Sequence, residues 1–243
     1  MTETPSPRIV LIHAVTLAMD PVRRAFDRLW PSAEIVNLLD DSLSPDRALD
    51  GDLTETMSER IAALGDYAVR IGADAALFTC SAFGPAIEAV ATSLPLPVLK
   101  PNEAMFAAAL DHGRDLGMLA TFGPSLATME AEFAEERRQM GKEGNLRTVL
   151  VEEAMSALKA GDVERHNHLL AEAAADLRHC DAVMLAHFST SRARDSVAKA
   201  VPCPVLSSPD LAVNALMARL GYRSGPWPPL VVGKLEGNSR LDC

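Results

Sequence analysis

One internal repeat limits what this chain can fold into more than any other feature. Shifting the 243-residue sequence by 107 positions lays Asp74–Leu99 over Asp181–Leu206 without a gap. Nine of those 26 positions are identical: Asp74/Asp181, Ala75/Ala182, Ala86/Ala193, Val90/Val197, Ala91/Ala198, Pro95/Pro202, Pro97/Pro204, Val98/Val205 and Leu99/Leu206. Apolar residues meet apolar residues at Ala76/Val183, Leu77/Met184 and Phe78/Leu185. The same shift carries Arg8–His13 onto Asp115–Ala120. An alanine-rich chain matches itself in places by chance, but a single offset that holds in two separate regions is a duplication signal. It predicts two similar lobes related by a pseudo-twofold axis.

The local patterns say what each lobe is. Short apolar runs with β-branched residues predict strands at Arg8–His13, Glu34–Leu39, Asp74–Thr79, Pro97–Leu99, Asp115–Thr121, Leu146–Val151, Asp181–Ala186 and Pro204–Ser207. Apolar residues at helical spacing fill stretches between them, such as Glu55–Ile71, Asn102–Asp111, Ser125–Met140, Asp162–Leu177 and Ser208–Leu220. Strand and helix alternating at this spacing require crossover connections and largely parallel strands. The expected fold is therefore α/β, with two pseudo-twofold-related lobes, each a mostly parallel sheet flanked by helices. Residues 1–113 with 208–243 are expected to form the first lobe and 114–207 the second, the last helix returning to the first. The tail from Ser224, Pro-rich and then polar, is expected to pack loosely.

Composition excludes some classes of function. A net charge of −10 argues against nucleic acid or an anionic membrane as partner. The start, MTETPSPRIVLIHA, has no basic segment followed by a long apolar one, and no apolar run reaches membrane-spanning length, so a cytoplasmic protein is expected. Cys80, Cys180, Cys203 and Cys243 lack CxxC or Cys/His finger spacing, so neither a disulfide framework nor a metal site is expected. The absence of GxGxxG and P-loop patterns gives no support for a nucleotide cofactor.

The repeat also carries a chemical consequence, because it lays Cys80 on His187. Both follow corresponding strands, at the carboxyl ends where open α/β sheets bind ligands. If the lobes face each other, thiol and imidazole approach one ligand in the interlobe cleft from opposite sides. A lone cysteine is more often a small buried hydrophobe. Here Pro85 suits the first turn of a following helix, and the amides and dipole of a helix start favour a thiolate, lowering its pKa towards neutrality. His187 titrates in the range useful for acid–base work. His13 ends the first strand on the same edge and is a further substrate or acid–base candidate. Cys180, Cys203 and Cys243 are read as structural, and His166, His168 and His179 as solvated surface.

Hydroxyls crowd the same edge: Thr79 and Ser81 beside Cys80, Thr121 and Ser125 in ATFGPS, and Ser189 in HFSTS. Each suits a helix cap, a carboxylate donor, or both. Ala82 and Phe188, one to two residues beyond the paired thiol and imidazole, are counted with the substrate-binding set. Lys100 and Asn102 in LKPNEA follow the fourth strand and could face the cleft. The segment EAEFAEERRQMGKEG reads as an exposed helix face.

Taken together, TCSA after the third strand, the duplicated lobe and ATFGPS in the second lobe resemble the Asp/Glu racemase superfamily. That group includes aspartate and glutamate racemases, hydantoin racemases, maleate isomerases and arylmalonate decarboxylases. The resemblance implies a cofactor-independent enzyme with its active site between two lobes, and a homodimer is a possible assembly. In family racemases two cysteines, one per lobe, act as paired acid and base. Cys80 matches the first, whereas the place of the second reads Leu185-Ala186-His187-Phe188. The expectation is a racemase or epimerase of a small, amino-acid-like carboxylate, with Cys80 and His187 catalytic. The alternatives are a lyase, decarboxylase or cis–trans isomerase with Cys80 as sole thiol, or a non-catalytic small-anion-binding protein.

Overall fold

Eight short strands stand where the alternating runs predict them, and the computed structural model describes residues 6–222. The tail from Ser224 and Cys243 lie outside those residues. The first lobe contains β1 (Arg8–His13), β2 (Glu34–Leu39), β3 (Ala75–Phe78) and β4 (Val98–Leu99), all parallel, in the order β2-β1-β3-β4. The second repeats this with β5 (Asp115–Ala120), β6 (Asn145–Leu150), β7 (Ala182–Leu185) and β8 (Val205–Ser207), in the order β6-β5-β7-β8. Strands β3 and β7 are buried along their whole length, which is why AALF and AVML read as unbroken apolar runs.

In the first half, α1 (Met19–Leu29), α2 (Leu43–Asp50), α3 (Glu55–Arg70), α4 (Gly84–Ser93) and α5 (Glu103–His112) follow their strands. In the second, α6 (Leu126–Gln139), α7 (Glu152–Lys159), α8 (Val163–Ala173), α9 (Arg194–Ala200) and α10 (Ser208–Arg219) do the same. The 107-residue offset survives folding in β1/β5, in β3/β7 and in the single 3-10 turns Thr16–Ala18 and Gly123–Ser125. Between those turns and the edge strands four extra residues enter the second half, so β2 and β6 lie 111 positions apart.

Two helices bind the lobes together by crossing between them. Helix α5 follows the first sheet, yet Met105, Phe106, Ala109 and Leu110 bury themselves with Leu116, Met118 and Met184 of the second. Helix α10 follows the second sheet and packs Ala212, Val213, Leu216 and Met217 onto Ile9 and Leu11 of β1 and Val22, Ala25 and Phe26 of α1. The two helices touch near their starts, where the Ser208 hydroxyl donates to Asn102 Oδ1 at 2.8 Å. Burying apolar faces in this reciprocal way, at about 25 cal/mol per Å² of area removed from water, makes the lobes a single packing unit. The carboxyl ends of the central strands are thereby held towards each other.

Candidate active site

Between those strand ends lies a cavity of about 480 Å³ walled by both lobes. Half of its lining residues fall into equivalent pairs under the repeat. Val15 and Phe122, and Cys80 and His187, correspond at 107 residues; Ser44 and Met155, and Ala48 and Lys159, correspond at the 111-residue offset of the edge strands. The cavity thus sits astride the pseudo-twofold axis. In each of these four pairs the second-lobe side chain is the larger.

Cys80 leaves β3 and caps the 3-10 turn Ser81–Phe83, which runs into α4 with Pro85 in its first turn. The Ala82 N–H donates to the sulfur, the Ser44 hydroxyl stands 4.0 Å from it, and the charge of Arg47 favours a thiolate. Burial opposes all three and prevails, holding the thiol above its ordinary pKa. The sequence pointed to a lowered pKa. The amide and the cation act in that direction, but desolvation is the larger effect, so the resting sulfur is an acid.

His187 occupies the matching position beyond β7 with φ at 78°, and is the one non-glycine residue among those described with a positive φ. Such a conformation costs on the order of 1–3 kcal/mol and persists where its surroundings over-determine it. Those surroundings are hydroxyls of its own lobe. The Ser125 hydroxyl donates to Phe122 O at 2.8 Å and so accepts from His187 Nε2–H, also at 2.8 Å. Nδ1 is then the lone-pair nitrogen, with only long contacts to the Thr121 N–H at 3.5 Å and Thr121 Oγ1 at 3.4 Å. Burial lowers the imidazole pKa to about 4, so the ring is neutral at pH 7.

The other sequence candidates separate by position. Thr79, Phe188 and Ser189 line the cavity with the pair. Thr121 and Ser125 stand behind His187. His13 lies beneath Thr79, its Nδ1 2.8 Å from Thr79 Oγ1 and its Nε2 2.9 Å from Asn37 Oδ1, and desolvation lowers its pKa. Ser81 and Ala82 are buried in the turn after the thiol. Asn102 is fully buried at the helix crossing with Ser208, away from the cavity, and Lys100 pairs with Glu88 at 2.6 Å.

Several participants escaped the sequence reading. Asp41, Ser44, Met155 and Lys159 line the cavity, and Arg47 lies behind the thiol. Carrying the repeat across the four-residue insertion would have paired Ala48 with Lys159 and exposed the signal. Two surface readings are corrected. His166 is fully buried, one helical turn from buried Leu170, and faces inward with it. Glu132, in the segment read as an exposed face, has both carboxylate oxygens buried without a hydrogen-bond partner. Its side chain lies against Gly84 of the first lobe, and burial raises its pKa to about 7.

Residues 14–186 match the Asp/Glu/Hydantoin racemase family. The chain belongs to that family. Solved structures with the same fold include Picrophilus torridus aspartate racemase, with a TM-score of 0.69 and 15% identity over 90% of this chain and 96% of that one. Glutamate racemase from Francisella tularensis subsp. tularensis SCHU S4 in complex with D-glutamate gives a TM-score of 0.69 at 14% identity, over 90% of this chain and 82% of that one. Unliganded arylmalonate decarboxylase gives 0.59 at 17%, over 91% and 96%. No curated protein matches in sequence. Within this Asp/Glu/Hydantoin racemase family chain, no described group of three or more His, Cys, Asp or Glu side chains could hold a metal ion, and no described helix is long and apolar enough to cross a membrane.

Proposed function

We propose that this protein is a racemase or epimerase of a small, amino-acid-like carboxylate, with Cys80 and His187 serving opposite faces of one α-carbon. The observation that carries this reading is their placement at equivalent positions on the two lobes' walls of one cavity, where burial favours a protonated thiol and a neutral imidazole. An acid and a base resting in those forms can move a proton through a carbon without prior activation. The α-proton passes to His187 Nδ1 and the bonding pair becomes the enolate. Cys80 Sγ–H then protonates the opposite face. Thiolate and imidazolium remain, each favouring the other, and the reverse enantiomer reacts from that state; solvent exchange interconverts the two forms.

Developing negative charge on the substrate needs fixed donors. Thr79 and Ser189 provide hydroxyls, and Lys159 a cation on the cavity wall. Asp41 on the lobe-1 side suits an ammonium or amide N–H. The chemistry calls on side chains alone. Incubating a panel of small chiral carboxylates with the protein in D₂O tests it, with α-deuteration followed by NMR. A substrate whose two enantiomers both exchange with the wild type, and whose thiol-facing enantiomer no longer exchanges with Cys80→Ala, supports the reading; undiminished exchange of both enantiomers in Cys80→Ala rejects it.

One observation favours a second reading, decarboxylation or elimination with Cys80 as sole proton donor. Both imidazole nitrogens have contacts within the second lobe. If Thr121 keeps Nδ1 throughout turnover, only the thiol face is active. A malonate-type substrate would then release carbon dioxide and carry deuterium on one face only.

A further inference from the structure

Helix α2 lies over the thiol with Ser44 and Arg47 one turn apart, and Arg47 is unlike the other described arginines. It is buried, only 7% exposed, and ends on two backbone carbonyls, Ala82 O at 3.3 Å and Gly51 O. No carboxylate pairs with it among the described ion pairs. Asp46 of the same helix and Asp40 just before it are taken up elsewhere: both bind Arg60, at 2.6 and 2.7 Å. A buried guanidinium without a counter-ion is costly unless something negative completes it.

The residue that Arg47 binds is the one that serves the sulfur. Ala82 offers its N–H to Cys80 Sγ and its carbonyl to Arg47 Nε. Arg47 thereby fixes the orientation of the turn after Cys80 while its charge bears on the same sulfur. We infer that Arg47 is a positioning residue for the reaction, and that its missing counter-ion is the Cys80 thiolate formed during turnover. The inference rests on Cys80 being the reactive group of the proposed function and adds the residue that stabilises its charged form. Burial makes the resting thiol an acid; Arg47 limits how far the sulfur resists giving that proton up. The charge acts from a buried side chain, so salt screens it little.

The test reads the thiol directly and needs no substrate. Cys80 alkylation by iodoacetamide is followed against pH by mass spectrometry of the Cys80 peptide, in wild type, Arg47→Met and Arg47→Lys, with circular dichroism as the check on folding. Loss of a nearby cation moves a thiol upward by about one unit or more. Arg47→Met is expected to shift the alkylation midpoint upward and cut the rate at pH 8 by about tenfold. Arg47→Lys, which keeps the charge and loses the forked donor, is expected to fall between, and it carries the test if the Met variant does not fold. Unchanged midpoints in the folded variants overturn the inference. Because no turnover is measured, absent α-proton exchange would reject the proposed function without touching this result.

Discussion

At the residue scale, His187 shows a local cost sustained for position. An L-residue at positive φ is held there by Ser125, which also decides that Nε2 carries the proton and leaves Nδ1 open. Ser125→Ala is expected to lower turnover by about tenfold or more, with a smaller effect on KM, because it releases the base without removing a substrate contact. Steady-state kinetics separate the two. The pH profile follows from the resting states. Activity from the thiol–imidazole form needs His187 unprotonated and Cys80 protonated, so kcat/KM is expected to fall on the acid side near pH 4 and on the alkaline side above the ordinary thiol range. An alkaline limb near pH 7 would contradict the buried-thiol assignment. Cys80 and His187 were legible in the sequence because a gapless offset pairs them. Lys159 and Arg47 were not, since their roles depend on how α2 and α7 lean over the cavity, which residue spacing does not encode.

At the scale of elements, all eight strands were legible from apolar runs and the long helices from their spacing. Helices α1, α2, α7 and α9 were harder to read. Helix α1 has Pro21 in its first turn and α2 has Pro45, and α2, α7 and α9 span only two turns or so. In α2, α7 and α9 the apolar face is too short to show a period. Helix α6 misled for another reason. Its run of Glu and Arg reads as solvated, but Glu132 points across the lobe boundary onto the start of α4. A Cβ at Gly84 would meet Glu132 Oε1 at 2.2 Å and Thr128 Cγ2 at 2.6 Å. Gly84→Ala is therefore expected to force α4 and α6 apart and to destabilise the protein by about 1–3 kcal/mol, read as a lower urea midpoint.

Across the whole molecule, the lobes are held by crossed helices and by contacts such as Arg192 to Asp20 at 3.1 Å, and one buried carboxyl makes their union sensitive to pH. Glu132 has a folded pKa of about 7, above its unfolded value. The folded state therefore binds its proton more tightly, and stability is full at low pH and lost as pH rises through about 7. His187 acts in the opposite sense. Its folded pKa of about 4 lies below the unfolded value, so stability present above pH 6.5 is lost as pH falls towards 4. Glu132→Gln is expected to stabilise the protein at pH 8 by about 2–3 kcal/mol and to change little at pH 4.5, measured by denaturant unfolding at both values. Equal effects at the two pH values would contradict a carboxyl that titrates near 7 in the folded protein. The duplication and the return of α10 to the first sheet were read from the sequence, while the packing of α5 on the second sheet was not, because α5 directly follows the last strand of the first sheet in the chain.

The proposed pairing of a sulfur and an imidazole across one carbon is tested most directly with His187→Gln and single enantiomers of an exchanging substrate in D₂O. The variant is expected to lose α-deuteration of the enantiomer whose hydrogen faces the imidazole and to retain exchange of the other through Cys80. Equal, wild-type exchange of both enantiomers would contradict it.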